Sequence, residues 1–66
     1  MKINQPFTFR NNTFKVINSV FKGRFTVIVM TKHGHIYHCD WATMPETQEE
    51  IIDAWTNDRK NFVHIN

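Results

Sequence analysis

Three of the four histidines and the single cysteine crowd into one short run, His33-Gly34-His35-Ile36-Tyr37-His38-Cys39, with Asp40 next and His64 near the end of the chain. Imidazole, thiolate and carboxylate are the ligands of zinc, and thiol plus imidazole are the parts of a cysteine nucleophile with its base. Zinc requires its ligands to converge within about 2.0–2.3 Å of one ion. In a strand, His38 points away from both His35 and Cys39, because successive side chains alternate between faces. His35 and Cys39 share a face but lie four residues, roughly 13 Å, apart at strand rise. His33 falls in a turn. The run therefore cannot close a metal site by itself, and His64 or Asp40 joins one only through tertiary contacts. No metal is expected, and His33, His35, His38 and His64 carry no assigned role.

Catalysis fares no better. A strand cysteine between Tyr37 and Trp41 reads as a small core residue. The chain has only two glycines, Gly23 and Gly34, so it lacks a glycine-rich phosphate loop. Glu49 and Glu50 are adjacent on a helix and point to different sides. The expectation is a non-enzyme with no catalytic residue and no cofactor.

The elements that must position these residues are strands, one helix and a final strand. In PFTFRNNTFKVI, an Asn11-Asn12 turn places Phe9 opposite Phe14 and Phe7 opposite Val16, with Thr8, Arg10, Thr13 and Lys15 behind. Val16-Ile17 interrupts the alternation and predicts a bulge near Ile17. Lys22-Gly23 makes the next turn. Arg24 to Thr31 is apolar at both parities, which predicts a central strand covered on both sides. Lys32-His33-Gly34 fits a three-residue loop with Gly34 in the left-handed position; a two-residue loop is the alternative. In the favoured register Val27 and Val29 lie beside Tyr37 and Cys39.

Two T-x-x-E spacings, Thr43–Glu46 and Thr47–Glu50, announce a helix near residues 45–57, with Pro45 in its first turn. Ile51, Ile52 and Trp55 form its apolar stripe, backed by Met44 or Gln48, and Asn57 is the left-handed terminator. Phe62 to Ile65 reads as a last short strand. Tyr37, Cys39, Trp41, Ile51, Ile52 and Trp55 are the expected core. The opening PFTFRNNTFKVINSVF resembles the first hairpin of SH3-like small barrels. The fold class is thus α+β: a small antiparallel sheet of four to five strands, or an SH3-like partly closed barrel, with one amphipathic helix, in a single domain over residues 1–66.

A chain of 66 residues buries only about 60% of the surface its unfolded form exposes, and one core of that size supplies about 3–5 kcal/mol. The lone thiol, the absence of an apolar leader and the lack of a membrane-length run predict a soluble cytoplasmic protein that does not enter membranes. The net charge of +2 conceals a split: residues 1–39 hold six basic side chains and no acid, whereas residues 40–66 hold all six acids against Arg59 and Lys60. Such a split speaks to partners and not to fold.

Two partner classes follow. Arg10, Lys15, Lys22, Arg24 and Lys32, interleaved with phenylalanines, have the composition of a single-strand nucleic-acid surface. Glu46, Glu49, Glu50 and Asp53 gather on one helix and offer an acidic face to a protein. The strands also carry more apolar side chains than one helix can cover, and an open apolar face marks an interaction site. The preferred expectation is a non-enzymatic module that binds a larger protein through the acidic helix as regulator or inhibitor, by analogy with small phage inhibitors of host factors. Direct nucleic-acid binding is the alternative, and pairing of two copies a further option.

Overall fold

The computed structural model describes residues 1–65. It contains β1 (Phe7–Phe9), β2 (Asn12–Asn18), β3 (Phe25–Met30), β4 (Ile36–Trp41), α1 (Gln48–Asn57), a 3-10 turn (Arg59–Asn61) and β5 (Val63–Ile65). The strands form one antiparallel sheet in chain order, with β3 in the middle and β1 and β5 at the edges. The sheet is open and does not close into a barrel, so the SH3-like expectation gives way to a meander carrying one helix.

The first turn differs from the expected one. Arg10 and Asn11, with φ of 51° and 67°, make it, so Phe7 opposes Phe14 and Phe9 opposes Asn12. The shift is two residues, which preserves the faces. Its physical gain is the stacking of Phe7 on Phe14, with ring centroids 5.1 Å apart and planes 16° off parallel. No bulge forms at Ile17: β2 stays in register to Asn18, with Ile17 opposite Thr26. The loss of alternation there means only that Ile17 adds an apolar side chain to the face that otherwise carries Thr13 and Lys15. Between β3 and β4 the favoured register holds, with Val27 opposite Cys39 and Val29 opposite Tyr37. Thr31 N–H donates to His35 O (2.9 Å) and Gly34 N–H to Thr31 O (2.9 Å). That closes the three-residue loop, with Gly34 at φ 85°.

The helix begins at Gln48, later than expected, because the second T-x-x-E is the working cap. Glu50 N–H donates to Thr47 Oγ1 (3.3 Å), while Glu50 Oε1 accepts from Glu46 N–H (3.2 Å). Pro45 lies before the helix, fully buried. Asn57 remains helical and does not terminate in the left-handed region; Asp58 ends α1, its N–H donating to Ala54 O. Arg59 substitutes for a left-handed cap. Its Nε donates to Trp55 O (2.8 Å) and its guanidinium lies 3.6 Å from the centroid of the Trp55 ring.

One face of the sheet meets α1. Phe14, Val16, Val27 and Val29 are fully buried there against Ile51, Trp55 and Phe62. Trp55 is the hub, edge-on to Phe14, Tyr37 and Phe62 with centroids at 6.4, 5.2 and 5.1 Å. Tyr37, Cys39 and Trp41 flank this core, whereas Ile52 stays half-buried outside it and Ala54 takes the inward position. Among the described residues no helix or strand covers the other face of the sheet, which the β2–β3 loop overhangs at one end. β3 is central in the sheet but is roofed on one side only, and Met30 is 46% exposed.

Candidate functional site

Strand pairing builds the uncovered face in three rows. The first is Thr13, Met30, Ile36 and Ile65; the second is Lys15, Ile28, His38 and Val63; the third is Ile17, Thr26 and Asp40. Ile17, Ile28 and Ile36 are half-buried, while Met30, Val63 and Ile65 are exposed. The β2–β3 loop extends this apolar surface with Val20 (94% exposed) and Phe21 (61%). Ser19 Oγ accepts from Phe21 N–H (3.1 Å), and Arg24 N–H donates to Phe21 O (3.1 Å), so the loop is braced.

Beneath that loop lies a cleft of about 360 Å³ with Ile17, Val20, Phe21, Ile28 and Ile65 as apolar walls and Asn18, Ser19, Thr26, His38 and Asp40 as its polar residues. Thr26 is buried, and its hydroxyl donates to Asp40 Oδ1 at 2.8 Å. That bond orients the carboxylate and leaves Oδ2 free of Thr26. A cleft with greasy walls and one fixed carboxylate suits a cation carried on an aliphatic stem.

The histidine-rich run is dispersed by the fold. His38 lies on the uncovered face, whereas His35 stands near His64 with ring centroids 5.3 Å apart, and His64 packs over Tyr37 at 4.8 Å. Among the described residues no three metal-ligating side chains come together. Cys39 is half-buried on the helix side. Burial pushes its thiol above the ordinary range; a hydrogen bond with Trp41 opposes the shift and the neighbouring Asp40 charge adds to it. A thiol held protonated is a poor nucleophile.

Glu46, Glu49, Glu50 and Asp53 are all exposed, with Glu50 engaged in the cap. Arg10 and Lys32 lie in the β1–β2 and β3–β4 turns, Lys22 and Arg24 in the loop at the other end, and Lys15 on the uncovered face between them. Arg10 lies over the ring of Phe9, 5.1 Å from its centroid. Of the phenylalanines that would stack on bases, Phe14 is fully buried and Phe7 and Phe25 pack against the core. Sequence reasoning passed over Asp40 and Lys15 as a pair on one face, and over the cleft itself. The parity of Ile28, Met30, Ile36, His38 and Asp40 was the available signal. Among the described residues no helix is long and apolar enough to cross a membrane. Comparison with protein-family models, with curated proteins and with solved structures gives no match to the chain.

Proposed function

We propose that this chain is a non-enzymatic binding module that engages protein through the uncovered face of its sheet. The observation that carries the reading is the one-sided cover: α1 roofs one face, and the other presents Ile28, Met30, Ile36 and Ile65, continued by Val20 and Phe21. Water-facing apolar side chains in one contiguous area are costly to leave exposed and are the usual mark of an interaction site. The acidic helix is a weaker candidate than the sequence suggested. Glu49 and Glu50 fall where the helix dipole favours acids and Glu50 serves the cap, so solvation and capping account for them. Nucleic acid is disfavoured because the basic groups divide between the two ends of the sheet and most of the aromatics pack inward. Regulation or inhibition of the bound protein is the consequence that suits a module without chemistry of its own.

A photoreactive side chain placed at Met30, and separately at Glu49, tests the reading in the cells that make the protein. The expected result is a protein adduct from Met30 that survives nuclease, and none from Glu49. An adduct from Glu49 alone, or one lost on nuclease treatment, would transfer the function to the helix or to nucleic acid.

A further inference from the structure

We infer that the protein seated on the uncovered face is a second copy of this chain, packed face to face about a twofold axis lying in the interface. The inference rests on the proposed use of that face and names its occupant.

Among the described residues that strand pairing sets on this face, Lys15 on β2 and Asp40 on β4 carry opposite charges, alongside His38. Lys15 and Asp40 stand on opposite sides of β3 and one row apart, so roughly 10 Å of sheet separates their strands, with Ile28 beside Lys15 in its row and Thr26 beside Asp40 in the next. An in-plane twofold set across the line joining them carries each Lys15 onto Asp40 of the other copy, and does so twice. The same rotation lays Met30 near the other copy's Val63, and Ile36 near its Ile65, because those pairs are also offset across the axis. Strands of the two sheets then cross steeply, within the orthogonal class of sheet packing. A self-complementary patch of this kind is what an isologous dimer requires.

The cleft supplies the second argument. Its apolar walls and fixed carboxylate suit a cation on a four-carbon stem, and Lys15 is such a group. Lys15 is not among the residues lining its own chain's cleft, and the twofold that pairs it with Asp40 of the other copy brings it there. A standard interface takes about 800 Å² from each partner, roughly a sixth of the 4700 Å² surface of this chain. A five-stranded face with its loop is of that order. Such a charge pair fixes register between copies, while the isoleucines, Met30 and Val63 supply the buried area.

Sedimentation of the purified full chain, from micromolar to millimolar concentration, tests the inference with Lys15→Asp, Asp40→Lys and the two combined. The wild type is expected at twice the 7.9 kDa chain mass. Each single reversal sets like charges face to face and weakens association by about a hundredfold or more, since such juxtaposition costs several kcal/mol. The double variant restores the dimer. Circular dichroism checks that each variant folds, and loss of the Thr26 bond is common to Asp40→Lys and the double variant, so it cannot produce the rescue. A monomeric wild type, single variants that dimerise like the wild type, or a double variant as monomeric as the singles would each overturn the inference. A monomer that still yields an adduct with a different protein from Met30 removes the dimer and keeps the binding surface; a monomer with no such adduct removes both.

Discussion

Trp55 shows how much of this fold rests on single side chains. It is 5% exposed, meets three aromatic rings, and receives the Arg59 guanidinium on its own ring. Truncation to Ala removes the common partner of helix, sheet and C-terminal segment. The expected cost is about 3–5 kcal/mol, comparable with all the stability a core of this size provides, and thermal unfolding followed by circular dichroism measures it. A Trp55→Ala variant that melts with the wild type would remove the helix-on-sheet arrangement. The sequence made Trp55 and Ile51 legible because helical spacing put them on one stripe. It did not reveal Phe62 as core or Arg59 as the cover of Trp55. Both contacts arise where the chain leaves α1 through a 3-10 turn, a geometry set by tertiary packing and not by any local pattern. Ile52 misled for the converse reason: helical spacing allows it on the stripe, but Ala54 faces the sheet more directly.

At the scale of elements, parity was the strongest guide and register the weakest. Alternation assigned the faces of β1, β4 and the first part of β2, whereas β3, apolar at both parities, took its faces from the register, and Gly34 fixed the β3–β4 loop because a positive φ there favours glycine. Parity survives a slip of two residues, which is why the first turn could move to Arg10-Asn11 without disturbing a single face. The choice between those turns was made by Phe7 stacking on Phe14, information that no four-residue window contains. The helix start was ambiguous because two T-x-x-E spacings precede it, and Pro45, buried outside the helix, resolves the matter. Thr47 is therefore the cap whose removal should be felt. Thr47→Ala is expected to cost about 0.5–2 kcal/mol, read as a lower denaturation midpoint with unchanged slope, whereas Thr43→Ala should be nearly silent. The reverse ranking would assign the helix to the earlier box.

Across the whole molecule, the Cα radius of gyration of 10.9 Å matches the value of about 11 Å expected for a folded chain of this length. The apolar surplus visible in the sequence is resolved by leaving one sheet face without a roof. The surplus itself was legible; which side chains carry it was not, since that depends on β4 continuing the sheet to β5 and on α1 crossing only one side. The charge split also takes a spatial form, with the carboxylates of α1 on the roofed side and Lys15 on the uncovered one, where Asp40 stands as the counter-charge. This face is proposed to be covered by protein in solution. Peroxide oxidation of Met30, read by peptide mass against Met1 in the same chain, tests it most directly. Met30 should oxidise quickly in dilute purified protein and several-fold more slowly when the protein is concentrated or in extract of its own cells, with Met1 unchanged. Oxidation of Met30 at one rate under all three conditions would mean that nothing docks on the face.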